Sequence, residues 1–219
     1  MGKIFENVKR ILSELPEGVE LEAAAKTRGA DEIKEAIDAG VRIVGENYLQ
    51  DAEKVFPYIG KIVRWHYIGR LQKRKVKKIV EMFDMIETVD SVEIAEEINK
   101  RAKQYGKIMP VLIEVNSGKE PQKSGIMPEE CIHFIREIAE YEHIRVMGLM
   151  TMGPLVKSPE DIRPYFKLTK EIFDKIKELN IGNVEMKYLS MGMSDSYKIA
   201  IQEGANLVRI GTLIFGPRK

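Results

Sequence analysis

The sequence predicts an α/β fold, a (β/α)8 TIM barrel with an extra N-terminal helix, and three observations carry that prediction. Short apolar runs alternate with charged, helix-period segments along all 219 residues, the pattern of βαβ units and a parallel sheet. About eight such runs suit a chain just above the ~200-residue lower limit for this barrel. No G-x-G-x-x-G follows the first strand, which counts against an open doubly wound sheet, the runner-up.

The opening "MGKIFENVKRILSELPEG" spreads acids and bases over an amphipathic pattern and lacks a long apolar core. It reads as a helix, not as a signal peptide or a membrane span. The strands expected after it are "LEAAAK", "VRIVGEN", "RWHYIG", "MIETV", "PVLIEVN", "RVMGLMTM", "KYLSMGM" and "LVRIGTLIFG". They are short and mostly apolar, as befits strands covered on both faces. Between them, "ADEIKEAIDAG", "LQDAEKVFPYI", "KRKVKKIVEMF", "SVEIAEEINKRAKQYG", "EECIHFIREIAEYE", "PEDIRPYFKLTKEIFDKIKELN" and "DSYKIAIQEGA" repeat at helical spacing. The six basic residues of "RLQKRKVKK" are the wet face of such a helix, since Val76, Ile79, Val80 and Phe83 follow at that spacing. Nothing Pro-, Gly- or Ser-rich divides the chain, so residues 1–219 are expected to form one barrel domain.

A net charge of +1 and 32% charged residues imply no broad attraction to nucleic acid or to a membrane. Cys131 is a single thiol, which fits a reducing cytoplasm. His66, His133 and His143 have no metal-ligand spacing with it, so no metal is expected. Met150 and Met152 of "MTMGP" are expected in the core.

In a barrel the chemistry lies where strands end and feed the following loops. Lys26 ends the run Ala23-Ala24-Ala25, whose small side chains leave space beside an amine. At the other end of the chain, Ser190, Gly192 and Ser194 share a parity, and Ser194 precedes a helical pattern as its expected N-cap. In the last strand Leu207, Arg209 and Gly211 share the inward parity, with Thr212 following. The loops after strands seven and eight are the usual phosphate site of such barrels, so these residues point to a bound phosphate. A lysine facing a phosphate site has two uses: a Schiff base with a sugar phosphate, or with pyridoxal 5′-phosphate. Arg209 favours the second, because a guanidinium donating to the pyridine nitrogen gives an inward charge a partner and weakens the ring as an electron sink.

Seven ordered motifs then resemble one family across nearly the whole chain. They are "AAAKT" (23–27), "GENYLQDAEKV" (45–55), "WHYIGRLQ" (65–72), "EVNSGKEPQKSGI" (114–126), "GLMTMGP" (148–154), "LSMGMSDSYKIAI" (189–201) and "VRIGTLIFGPR" (208–218). The chain resembles the YggS/PROSC family of pyridoxal phosphate homeostasis proteins, relatives of the alanine racemase barrel. That resemblance implies that Lys26 is the Schiff-base lysine and that Asn47 lies by the ring, with His66 near the site. It also implies that Ser190, Gly192, Ser194, Gly211 and Thr212 bind the phosphate and that Arg209 meets the pyridine nitrogen. One departure stands out: where the family carries Asn in "LQ-x-N-K", this chain has Arg74.

Two kinds of function follow. The first is a cytoplasmic carrier, a monomer, that holds pyridoxal phosphate as a lysine aldimine and serves its homeostasis and delivery to dependent apoenzymes. The second is an orphan pyridoxal phosphate enzyme such as a weak amino-acid racemase. In the racemases this barrel resembles, the second base is a tyrosine from an additional domain of a partner. The few residues after the last expected strand leave no room for such a domain. With Arg209, this favours the carrier, with no catalytic residue. An aldolase-like enzyme comes third.

Overall fold

The computed structural model describes residues 2–217; Arg218, which closes the last motif above, lies outside them. Eight parallel strands close on themselves in chain order, β8 (Leu207–Ile210) pairing with β1 (Glu20–Ala24). The others are β2 (Ile43–Glu46), β3 (Arg64–Tyr67), β4 (Met85–Val89), β5 (Met109–Glu114), β6 (Ile144–Met150) and β7 (Val184–Ser190). Around them run α2 (Ala30–Asp38), α3 (Leu49–Ile59), α4 (Val76–Met82), α5 (Val92–Gln104), α6 (Cys131–Ile138), α7 (Arg163–Glu178) and α8 (Tyr197–Gln202). The extra N-terminal helix is α1 (Lys3–Glu14). It buries Val8 and Ile11, and the Asn7 amide donates to the Ile214 carbonyl at 3.0 Å, tying the two chain ends together.

Strands and helices fall where the apolar pattern places them, with one exception. "TLIF" continues an apolar run after β8, but Gly211 breaks the strand and these residues form a single helical turn, α9 (Thr212–Phe215). Met150 is buried in the barrel as expected, whereas Met152 is 47% exposed, because β6 ends between them. Val76, Ile79, Val80 and Phe83 are buried beneath a basic outer face, as their spacing requires.

Inward-pointing residues stack in layers, as the alternation of strand side chains dictates. Glu20 and Arg64 pair in the lowest layer, and Arg64 also donates to the Tyr188 hydroxyl at 3.2 Å. Above them Ile43, Met85, Leu112, Met147, Met150, Tyr188 and Leu207 form an apolar plug. The next layer is charged. The register that places Glu22 opposite Arg209 and His66 opposite Gly45 brings Glu22, His66, Glu87, Ser190 and Arg209 together under the C-terminal mouth.

Candidate pyridoxal phosphate site

The turn after β1 positions Lys26. The Arg28 N–H donates to the Ala25 carbonyl at 2.9 Å, and Thr27 is left with φ +66°. A β-branched residue in the left-handed region costs about 1–3 kcal/mol and persists only where its surroundings hold it. Arg28 does the holding. Its guanidinium donates to the carbonyls of Gly216 and Pro217, both at 2.8 Å, pairs with Glu32 at 3.2 Å and lies over the Phe215 ring. Lys26 is thereby aimed, half-buried, into a cavity of about 420 Å³ at the barrel mouth.

Ser194, Gly211, Thr212 and Arg209 line the same cavity. Among the described residues, the backbone N–H groups of Ser194, Asp195, Gly211 and Thr212 have no acceptor, so these two loops offer a set of unused donors. Ser194 does not cap α8 as its position suggested. The cap position is Ser196, and the Ser194 hydroxyl instead accepts from the Leu213 N–H at 3.3 Å, joining the β7 loop to α9. The β7 loop turns at Gly192, whose φ is +91°. Its carbonyl accepts from the Arg209 N–H at 3.1 Å, which ties that loop to β8.

His66 and Ser190 lie one layer below the cavity, fully buried. His66 Nδ1 is 2.7 Å from Glu87 and 3.3 Å from Glu22. The Ser190 hydroxyl donates to Glu87 at 2.6 Å and accepts from Arg209 at 2.6 Å, and Arg209 also donates to the Thr151 carbonyl at 2.8 Å. Ser190 therefore fixes Arg209 from beneath, and its hydroxyl hydrogen is already committed. Asn47 is placed across the mouth. Its amide donates to the Ile68 carbonyl at 3.3 Å, and it lines a neighbouring cavity.

Glu22 and Glu87 escape sequence reasoning because their partner His66 sits on a different strand, so no local spacing marks them. Burial alone would depress the His66 imidazolium, but hydrogen bonds to Glu22 and Glu87 outweigh it and push its pKa up to about 9. Burial, reinforced by the Glu87 charge, raises Glu22, while His66 overcomes burial to hold Glu87 low. The layer thus sets two basic groups, His66 and Arg209, against two carboxyl groups driven in opposite directions, Glu22 toward the neutral form and Glu87 toward the anion. Glu46, buried, is raised to about 8 by burial and by the Asp51 charge, against the Asn47 backbone N–H and the Lys26 charge, which oppose them.

The raised groups hold their protons more tightly in the folded state. The His66 contribution is complete below its unfolded value near 6.5 and is lost as pH rises through 9; the raised glutamates act in the same direction from about 4.3 upward. Glu87 works oppositely, but only below about 4.3. Thermal unfolding followed between pH 6 and pH 9 should therefore show a Tm that falls as pH rises. A Tm that rises over this interval would contradict the assignment.

A barrel with its lysine in the turn after the first strand, a donor-lined mouth over strands seven and eight, and an arginine between them is of the alanine racemase N-terminal kind, and the family model of that domain matches residues 1–219. The chain belongs to the pyridoxal phosphate homeostasis protein family within that group. It is 37% identical to the pyridoxal phosphate homeostasis protein of Aquifex aeolicus, covering 100% of this chain and 97% of the relative. With the Escherichia coli K12 protein of the same description it shares 38%, covering 93% and 87%. Among solved structures, PipY of Synechococcus elongatus with pyridoxal phosphate bound superposes with a TM-score of 0.90 at 30% identity, covering 98% of this chain and 100% of that one. An alanine racemase from Clostridium difficile superposes at 0.79 with 19% identity, covering 98% and 55%, which is a likeness of fold.

Proposed function

We propose that the protein holds pyridoxal 5′-phosphate as a lysine aldimine on Lys26 and serves its intracellular homeostasis, including delivery to dependent apoenzymes. The observation that carries this reading is the composition of one cavity: an amine on one wall, a set of unused N–H donors with Ser194 and Thr212 on the other, and Arg209 between them. When bound, pyridoxal phosphate supplies an aldehyde for an amine and a ring that withdraws electrons. Ser194, Gly211 and Thr212 take the phosphate, Gly192 shapes their loop, and Arg209 faces the pyridine nitrogen. Ser190 and His66 act from below through Glu87. Asn47 borders the ring from the far side of the mouth.

A carrier fits this arrangement better than a racemase. Racemisation needs two bases on opposite faces of the substrate carbon. Among the described residues of the cavity wall, neither a tyrosine nor a histidine accompanies Lys26, and the one carboxylate there, Asp195, is exposed at the rim. A guanidinium, which does not give up its proton, also leaves the pyridine nitrogen unprotonated and the ring a weaker electron sink.

Titration with pyridoxal phosphate, read by visible absorbance, tests the proposal. The wild type should develop an imine band that K26A lacks. A Ser194→Ala, Thr212→Val double variant should keep the band with affinity lowered about tenfold, the loss of one to two charge-assisted hydrogen bonds. An undiminished band in K26A would sink the assignment.

A further inference from the structure

Beside the Lys26 cavity, over β2 to β6, lies a second one of about 210 Å³. Arg209, Thr151 and Ser117 form the wall between them: Arg209 donates to the Thr151 carbonyl, and the Thr151 and Ser117 hydroxyls are 2.9 Å apart. Most polar groups around the second cavity are already used. The Asn116 amide closes a ring with the Glu120 backbone at 2.8 and 3.1 Å, the Thr88 hydroxyl donates to the Gly69 carbonyl at 2.6 Å, and Lys123 pairs with Glu120 at 2.6 Å.

Three groups are left over. The Glu114 side chain, on a residue only 6% exposed, has no hydrogen-bond partner among the described residues. The Asn47 Oδ1 is buried and also without one. The Arg70 guanidinium, at the rim, forms no ion pair within 4.0 Å among the described residues, although Glu114 and Asp90 both lie within its electrostatic reach. Buried polar groups normally find partners. Here an acid with a neighbouring acceptor faces a base across a gap that neither closes. A group carrying an ammonium at one end and a carboxylate at the other fills that gap.

We propose that this cavity binds a small α-amino acid, its ammonium on Glu114 and Asn47 Oδ1 and its carboxylate on Arg70. The volume, below the ~300–1,000 Å³ usual for ligand pockets, restricts the side chain to the size of alanine or serine. The site goes beyond the pyridoxal phosphate reading: Glu114 and Arg70 belong to it alone, and Asn47, placed above beside the ring, is shared by the two. The shared wall would nevertheless seat the amino acid beside the Lys26 cavity.

Calorimetric titration of the full chain tests this with L-alanine, with its halves propionate and ethylamine, and with Mg²⁺ as a plain cation. Alanine is expected to bind at least tenfold tighter than either half, and E114Q and R70Q should each weaken it at least tenfold. Saturating inorganic phosphate, a competitor for the Lys26 cavity, should leave alanine affinity unchanged. The proposal is overturned if alanine binds no better than its halves, if both variants bind it like the wild type, if phosphate displaces it, or if Mg²⁺ alone saturates the site. Should a variant fail to fold, crystals of the wild type soaked with alanine decide: density bridging Glu114 and Arg70 supports the site, and density elsewhere or none overturns it. The imine band of the Lys26 cavity is read separately, so either reading can fail without the other.

Discussion

Replacing Glu87 by glutamine is expected to lower stability by about 3 kcal/mol, the lower end of the range for removing one partner of a buried ion pair. In a chain of this size that is a fall in Tm of roughly 10 °C. Glu87 is the anion shared by two cations, reaching His66 directly and Arg209 through the Ser190 hydroxyl. Without it, two positive charges remain in a layer closed to water. The cost stays at the lower end because Glu22 lies 3.3 Å from His66 Nδ1 and can release its proton once the Glu87 charge no longer raises it. His66→Asn alone should also destabilise, by leaving Glu87 without its main partner. The double variant E87Q/H66N should cost clearly less than the sum of the two, since it removes both charges together. Denaturant unfolding of the four proteins checks this, and additive losses would mean that the pair is not coupled.

Gly192→Ala is expected to cost a comparable amount, about 3 kcal/mol, and to lower affinity for pyridoxal phosphate at least tenfold. Two effects add. The φ of +91° is one that side-chain-bearing residues rarely adopt, and a Cβ there would lie 2.5 Å from the Ala200 Cβ and 2.8 Å from the Tyr197 Cα. The loop can accept the methyl only by moving off α8, and the Ser194 and Asp195 N–H groups move with it. Unfolding and pyridoxal phosphate titration of the same preparation separate the two losses. Wild-type affinity in a destabilised G192A would show that the loop does not hold the phosphate.

The barrel was legible because parallel strands covered on both faces leave short apolar runs, and amphipathic helices between them leave a different period. The "MIETV" run coincides with β4 and "LQDAEKVFPYI" with α3. Where the reading failed, local chemistry was ambiguous. "TLIF" has the composition of a strand, and only the break at Gly211 lets it turn into α9. Ser194 looks like a cap for the helix that follows it in sequence, but its partner, Leu213, is nineteen residues away. Lys26 and Arg209 stood out because a charge at a strand end or amid Leu, Val and Ile needs an explanation. Glu22 and Glu87 did not, since nothing within "LEAAA" or "MIETV" says what a glutamate there meets across the barrel. Only the closed barrel, which turns that parity inward on eight strands at once, brings these acids to His66. The charged layer is therefore a property of register between distant strands, and no single segment carries it.

Reduction with borohydride in the presence of pyridoxal phosphate, followed by peptide mapping by mass spectrometry, tests the central claim most directly. Reduction fixes an imine as a stable secondary amine on whichever lysine formed it. The account predicts a pyridoxyl group on the peptide containing Lys26, at near-stoichiometric yield, with the visible band lost in the same step. A label spread over the surface lysines, or a Lys26 peptide that stays unmodified at saturating pyridoxal phosphate, would contradict it.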